Sequence, residues 1–376
     1  MDRIDSLTSL RFFAAFFVIF VHARGTLGVP EDFLTTFALT EAVSFFFVLS
    51  GFILAYVYPT LEGPAIRNFL IRRVARIWPV HALALLFLLA FGLFSLTPSP
   101  YIFTLNLFLL HSWFPFKDIY YSFNVPSWSI STEFAFYLFF PFLIKNFIST
   151  GRTKIILAAG LALLMVLISN YMDLPHNKDA SSYQLTNIGL IYALPLTRLF
   201  EFCLGIWTCF LWKEYRHKIR WSAITVTVLE IAFVIAIAFF ANLVMTSGII
   251  GPELGSGTYI YIRRSGASLL FAGLIFVTAL QSGYISRGLK LRPFVFLGEI
   301  SYTIYIFHSP LIYAYMVYGH RLWFIPERFL YPAYFIALVA WCSLVWILFE
   351  KPVRKLIIKK LGRKPAIAPA SSISNR

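Results

Sequence analysis

Two ionisable side chains interrupt an apolar stretch near the N terminus of the sequence. Arg11 and His22 are eleven residues apart, which is about three helical turns, so on one helix both point to the same face, roughly 16 Å apart along the axis. Taken singly, Arg11 could snorkel to the inner headgroups and His22 could lie at the outer interface. Charged groups inside a span are costly and usually face a cavity, a partner or a substrate path. Their shared face therefore favours a functional role.

A buried carboxylate is expected in a second apolar stretch, which opens with Asn124, Pro126 and the Trp128-Ser129 pair. Glu133 falls one to two turns inside the predicted outer surface. The structural alternative is that Glu133 caps its own helix, but three residues earlier stands Ile130, which cannot complete a Ser/Thr capping box.

A polar stripe runs along a third apolar stretch. Ser301, Tyr305 and His308 recur there at helical spacing, and Pro310 follows. A lone histidine in such a helix is often a packed core residue. Two intramembrane histidines with a buried glutamate favour a general acid–base site, because a histidine takes and returns a proton near neutral pH.

Three arginines precede the third predicted span, namely Arg72, Arg73 and Arg76. One interpretation is that they only keep this loop in the cytoplasm. The other is a phosphate clamp, since guanidinium groups bind phosphate through two parallel hydrogen bonds.

The elements that would position these groups are membrane helices. Of the 376 residues, 59% are hydrophobic and only 13% are charged, which is typical of a chain whose solvent is lipid. A span needs about 20 apolar residues. The sequence predicts an all-α polytopic membrane protein of about ten transmembrane helices, and a shorter apolar segment over 101–110 that lies at the interface or re-enters. The predicted spans are 8–24, 41–58, 77–96, 127–147, 154–171, 191–212, 222–245, 265–283, 297–318 and 329–349.

The loop charges predict the orientation, because short loops rich in Lys and Arg stay in the cytoplasm. The basic residues cluster in alternate loops, so we expect both termini to be cytoplasmic. A formal charge of +15 then reflects topology and attraction to the lipid surface, and nucleic acid is not expected as a partner. We predict one transmembrane domain over 1–355 and a basic, polar cytoplasmic tail over 356–376. If the N terminus were instead a cleaved signal peptide, the span count would be odd and the loop charges would be reversed.

Three further charged residues are candidates at the predicted outer level. Glu41 begins the second span, and Arg198 and Glu201 lie in the sixth. The last two are three residues apart and could simply neutralise each other. Trp128 suits a membrane interface. The three cysteines fall in predicted spans, so a disulfide framework is not expected.

Taken together, these segments resemble the acyltransferase 3 family of membrane-bound O-acyltransferases. The resemblance covers nearly the whole chain and includes seven segments in order. They are 9–15 (SLRFFAA) leading to His22, 45–52 (FFFVLSGF), 72–79 (RRVARIWP), 128–133 (WSISTE), 198–205 (RLFEFCLG), 298–302 (GEISY) with His308, and 350–352 (EKP).

The resemblance implies transfer of an acyl group, commonly acetyl, from cytoplasmic acyl-CoA to a hydroxyl of a cell-surface carbohydrate or lipid-linked glycan. It implies a multi-pass protein of the bacterial cytoplasmic (inner) membrane, with acetyl-CoA as co-substrate and no metal. His22 is then expected to act as general base, with Glu133 either orienting it or stabilising its charged form. His308 is a second candidate, for acid–base catalysis or for polarisation of the acyl carbonyl. Both direct transfer and an acyl-histidine intermediate stay open. We expect Arg11, Arg72, Arg73 and Arg76 to bind the coenzyme, and the substrate-binding candidates are Glu41, Trp128, Ser129, Arg198, Glu201, Ser301 and Tyr305.

The main alternative is a proton-coupled membrane transporter, because His, Glu and Arg side chains in membranes also form proton relays. Many transporters have inverted repeats with broken helices in matching halves, and this sequence shows no such symmetry. A purely structural or receptor-like protein would leave the polar residues on several helices unexplained.

Overall fold

The computed structural model describes residues 3–30, 42–93, 99–246, 251–322 and 324–362. These residues form helices and no named strand. The helices are α1 Asp5–His22, α2 Ala42–Val57, α3 Pro64–Ala90, α4 Pro100–Leu107, α5 Lys117–Tyr120, α6 Trp128–Ile144, α7 Phe147–Tyr171, α8 Leu199–Tyr215, α9 Ala223–Thr246, α10 Ser256–Ser265, α11 Ser268–Ala279, α12 Tyr284–Gly288, α13 Arg292–Tyr318, α14 Glu327–Val345 and α15 Lys351–Leu361.

The all-α, multi-pass architecture is confirmed. In the described ranges, eight helical stretches are long and apolar enough to cross a membrane. They are α1, α3, α6 with the turn before it (Val125–Ile144), α7, α9, α10 joined to α11 (Ser256–Ala279), α13, and α14 joined to α15 (Glu327–Leu361). The other two predicted spans correspond to α2, which has 16 residues, and α8, which has 17. Helix α8 carries three charged residues, Glu201, Lys213 and Glu214, which lowers its hydropathy. The short apolar segment forms α4, too short to span.

The helices that build the site pair in parallel. Thr8 meets Gly298 near the start of α1 and α13, and His22 meets His308 further along both. In the same way, α2 meets α8 first through Ser44 and Glu201 and later through Ala55 and Lys213. Two helices that cross the membrane in the same direction are separated by an even number of crossings, counted from the start of one to the start of the other. The predicted order of spans gives an even number for both pairs.

Two glycines allow the backbones of α2 and α8 to touch. A side-chain carbon on Gly51 would overlap the carbonyl oxygen of Phe202, and one on Gly205 would overlap that of Val48. Membrane helices associate without a hydrophobic driving force, so small residues that allow close packing determine which faces meet. Both glycines belong to the segments that resemble the family.

The bundle has two ends that differ in their polar residues. We call the end that carries Arg72, Arg73, Arg76 and Arg354 the arginine face, and the opposite end, where α1 finishes at His22, the histidine face. Helix α15 packs against α3 at the arginine face and runs to Leu361, across the predicted boundary at 355/356. Residues 363–376 lie outside the described residues. The positive-inside rule predicts a cytoplasmic arginine face, and this orientation stays a prediction.

Candidate active site

His22 and His308 form a hydrogen-bonded pair between α1 and α13. Nδ1 of His22 lies 2.8 Å from Nε2 of His308, and the two rings are almost parallel, with centroids 5.1 Å apart and an angle of 13°. His308 is fully buried, whereas His22 is exposed. The pair therefore presents one accessible imidazole supported by one inaccessible imidazole.

One backbone carbonyl determines which ring nitrogens of this pair carry hydrogen. Nδ1 of His308 is 2.5 Å from the carbonyl oxygen of Tyr305, and since a carbonyl only accepts, this nitrogen carries the hydrogen. In neutral His308 the other nitrogen, Nε2, is then an acceptor, so Nδ1 of His22 donates to it. Neutral His22 is left with a lone pair on Nε2. The arrangement holds His22 in the tautomer that a general base needs.

A proline in α13 leaves a backbone carbonyl free next to that of Tyr305, and a side chain from another part of the chain bonds it. Pro310 lies inside α13 and has no N–H, so the carbonyl of Ile306, four residues earlier, lacks its helical partner. The side chain of Asn124 donates to that carbonyl through Nδ2 at 2.9 Å. Tyr334 of α14 donates to the carbonyl of His308 at 2.8 Å. The turn that carries His308 is thus held from two other parts of the chain.

A pair of hydroxyl groups lies next to His308. The ring centroid of Tyr305 is 5.6 Å from that of His308, and its hydroxyl oxygen is 2.8 Å from Oγ of Ser129. Ser129 also donates to the carbonyl of Pro126 at 2.9 Å. Trp128 packs its indole against Tyr192, with centroids 4.3 Å apart. The structure thus brings Ser129, Tyr305 and His308 together.

Glu133 lies elsewhere than the sequence led us to expect. Its Oε1 accepts hydrogen bonds from Tyr137 at 2.6 Å and from Ser50 at 3.1 Å. Within the described part of the chain, the side-chain partner of His22 is His308. The expected orienting contact between Glu133 and His22 was therefore wrong, while a role of Glu133 in stabilising charged His22 stays a prediction. Position 133 is about one helical turn beyond Ser129, and that turn carries the carboxylate towards the arginine face.

Two small cavities connect these groups. One of about 60 Å³ is lined by Glu133, Tyr137, Arg73 and Arg76 among others. The second, of about 40 Å³, reaches Ser129, Ser301 and Tyr305. Three residues line both cavities: Arg11, Phe46 and Glu133. A row of polar side chains thus runs from the arginine face to Tyr305, directly beside His308.

The arginines of this row have few anionic partners. The side chain of Arg73 lies over Tyr58, Phe69 and Tyr137 at 5.6–5.9 Å, and its Nε is buried without a hydrogen-bond partner. Arg11 and Arg76 form no salt bridge with a described residue, although the charge of Arg11 interacts with those of Glu133 and Glu350. Arg72 is exposed.

Arg198 and Glu201 neutralise each other, as the alternative interpretation proposed. Both side chains are fully buried, and Nη2 of Arg198 is 2.8 Å from Oε1 of Glu201. Ser44 of α2 donates to the same oxygen at 2.6 Å, and Arg198 donates to Ser265 of α10 at 2.7 Å. This network links three helices, and a role of either residue in substrate binding stays a prediction. Glu41 lies outside the described residues.

Three residues of interest were missed. Arg264, at the end of α10, lies over the ring of Tyr192 at 4.7 Å, and its charge acts on His22. The predicted span begins at residue 265, so hydropathy alone leaves Arg264 in the preceding loop. His81 and His111 are both fully buried. Among the described residues, no three His, Cys, Asp or Glu side chains converge in a way that could hold a metal ion.

The sequence was compared with family models and with known proteins. The family model described as an acyltransferase domain, Acyl_transf_3, matches residues 4–347. The chain is 30% identical over 343 residues to the acyltransferase MdmB of Streptomyces mycarofaciens, covering 85% of this chain and 81% of MdmB. It is 25% identical over 295 residues to the peptidoglycan O-acetyltransferase OatA of Listeria monocytogenes, covering 72% of this chain and 44% of that protein.

A third relative is the O-acetyltransferase OatA of Staphylococcus aureus, 25% identical over 346 residues, which cover 82% of this chain and 50% of OatA. The chain thus spans about half the length of the OatA proteins and most of MdmB. No solved structure matches it. The resemblance found in the sequence is confirmed, and the chain belongs to the acyltransferase 3 family of membrane acyltransferases.

Proposed function

We propose that this protein transfers an acyl group, most simply acetyl, from acyl-CoA bound at the arginine face to a hydroxyl of a carbohydrate acceptor at the histidine face. One observation carries the proposal. An exposed histidine with a free Nε2 lies at one end of a row of polar side chains and cavities that begins at unpaired arginines. The names of the relatives support acetyl as the group and a cell-envelope glycan as the acceptor.

The transfer uses His22 as general base. Nε2 takes the proton of the acceptor hydroxyl while the oxygen attacks the carbonyl carbon of the thioester. The carbon–sulfur bond breaks, and the proton passes from His22 to the sulfur, which leaves as the free thiol of coenzyme A. His308 is a positioning residue that holds the tautomer of His22, as the third group of a catalytic triad does.

The arginine face supplies the coenzyme site in this proposal. Arg72, Arg73 and Arg76 are suited to the phosphates, because guanidinium groups bind them bidentately. Arg11 then lies along the route of the thioester arm, and about 16 Å of helix separates it from His22. Glu133 and the hydroxyls of Ser129 and Tyr305 border this route. The orientation implied is a cytoplasmic arginine face in a bacterial inner membrane.

The test measures acyl transfer directly. Purified protein in vesicles receives radiolabelled acetyl-CoA and an extract of lipid-linked glycans, and both free thiol and labelled glycan are measured. We expect transfer by the wild type and almost none by His22→Ala. The control His217→Ala removes an exposed histidine that lies just after α8 and takes no part in the proposed mechanism, so we expect normal transfer. Unchanged turnover by His22→Ala would exclude His22 as the base.

The same assay distinguishes the two routes that the sequence left open. Without acceptor, an acyl-histidine intermediate leaves label on the rapidly quenched wild type and none on His22→Ala. Direct transfer leaves none. A transporter is not proposed, because the matching family model describes an acyltransferase domain.

A further inference from the structure

Arg354 places a fourth guanidinium group next to the three arginines of α3. It lies on α15, which packs against α3, and its charge interacts with those of Arg72, Arg73 and Arg76. The side chain is partly buried. The sequence alone places Arg354 only at the end of the predicted transmembrane domain 1–355, because nothing local links position 354 to residues about 280 positions earlier.

The charges of this cluster do not balance. Together with Arg11 it holds five guanidinium groups, and the carboxylates that interact with them are Glu133 and Glu350. In the described ranges none of the five forms an ion pair, whereas the buried Arg198 is paired with Glu201 at 2.8 Å. Like charges at close range repel each other unless an anion lies between them. The cluster therefore has the composition of an anion site.

Glu350 gives this site a fixed geometry. Its carboxylate is buried and accepts a hydrogen bond from Oγ1 of Thr303 at 2.5 Å. It ends the π-helical turn Trp346–Glu350, and such turns are frequent at functional sites. Arg354 follows four residues later, on the same side of the helix. The carboxylate thus interacts with Arg76 and Arg354 at once, while a threonine rather than an arginine holds it.

We propose that Arg354 binds a phosphate group of coenzyme A, as the contribution of the C-terminal helix α15 to a site otherwise built on α3. The proposal rests on the proposed function, since it identifies one further residue of the same coenzyme site. Bidentate guanidinium–phosphate pairs are the strong, geometrically specific form of this contact. In this proposal the phosphates of the coenzyme bind the arginines of the arginine face, which is why these arginines form no ion pair with a carboxylate of the described residues.

The test compares the binding of two coenzymes by calorimetry. Purified protein in vesicles of zwitterionic phosphatidylcholine is titrated with coenzyme A and with 3′-dephospho-coenzyme A. We expect Arg354→Gln to raise the Kd for coenzyme A about tenfold, the size of one charged hydrogen-bonded contact. Arg354→Lys, which keeps the charge and loses the second hydrogen bond, is expected to raise it about threefold. The matched control, Lys355→Gln, removes the neighbouring exposed charge and is expected to change the Kd less than twofold.

The two coenzymes identify the phosphate. If Arg354 binds the 3′-phosphate, its replacement has no effect on the Kd for 3′-dephospho-coenzyme A; if it binds the pyrophosphate, the effect is equal for both, and either result supports the proposal. Should Arg354→Gln fail to fold, Arg354→Lys decides.

A wild-type Kd in both Arg354 variants would overturn the proposal while leaving the proposed function intact. The titration is repeated in vesicles that contain an anionic phospholipid. Affinity lost by the variants only in those vesicles would assign Arg354 to lipid phosphate and would also overturn the proposal. A wild type that binds neither coenzyme would instead refute the proposed function.

Discussion

The protein contains two stacked pairs of histidines that differ in almost every other respect. The rings of His22 and His308 are inclined by 13° and those of His81 and His111 by 7°. The first pair shares a direct hydrogen bond of 2.8 Å. In the second the centroids are 6.3 Å apart, and each ring bonds elsewhere: Nε2 of His81 to the carbonyl of Asn106 at 2.8 Å, and Nε2 of His111 to Ser127 at 3.2 Å.

Exposure separates the pairs further. His81 and His111 are fully buried, whereas His22 is exposed at the end of α1. A base must reach the proton it removes, so only the first pair is placed to act on a substrate. The second pair joins α3 to the turn His111–Trp113 and to α4, as packed, hydrogen-bonded core residues do. The two pairs share residue type and ring stacking, and they differ in exposure and in their hydrogen-bond partners.

The largest difference between the pairs is expected at His22. Replacement by alanine removes the only base in the proposed mechanism, and general base catalysis contributes about 100- to 10,000-fold. We expect His22→Ala to lower kcat for acetyl transfer by about 1000-fold while the thermal unfolding temperature stays close to that of the wild type. Activity within tenfold of the wild type would remove the distinction between the two pairs.

A smaller loss is expected at His308, because it acts through His22. His308→Leu removes the acceptor that holds the tautomer, and we expect kcat to fall about 100-fold with little change in KM for acetyl-CoA. His308→Gln offers an amide oxygen in place of Nε2 and should recover part of this loss. Equal losses in both variants would indicate a purely structural role.

A substitution at Tyr305 distinguishes the contribution of its backbone carbonyl to activity from that of its hydroxyl. Its backbone carbonyl holds His308, whereas its hydroxyl bonds Ser129. Tyr305→Phe keeps the carbonyl and loses only the hydroxyl, so we expect kcat to fall less than tenfold. A loss as large as that of His308→Leu would show that the hydroxyl takes part in the chemistry.

The smallest effect on activity is expected in the second pair. His81→Leu leaves the carbonyl of Asn106 without this donor, which should lower the free energy of unfolding by about 1 kcal/mol. Turnover per folded molecule should stay within about threefold of the wild type, measured together with thermal unfolding in detergent. Normal stability combined with a large loss of turnover would assign His81 to the active site.

Much of the fold could be predicted because its signals are local. Hydropathy located the spans, including α4 as too short to cross, and helical spacing placed Arg11 and His22 on one face. In the structure both do lie towards α13. The elements that were missed or misjudged are those with mixed composition. The predicted span 265–283 omits α10, whose polar residues hide that it continues into α11 as one candidate span, Ser256–Ala279. Helix α8, which carries charges, begins at Leu199, eight residues after the predicted start at 191.

The partners within the site depended on tertiary structure. His22 and His308 are 286 positions apart, and the family segments contain Glu133 as an equally suitable partner. The choice between them follows from the close packing of Gly298 on Thr8, which aligns α1 with α13. One turn of α6 likewise moved Glu133 into the cavity with Arg73 and Arg76. Period and polarity along one helix are local properties of the chain, but the faces that meet depend on how small residues let whole helices approach, and no single segment contains that information.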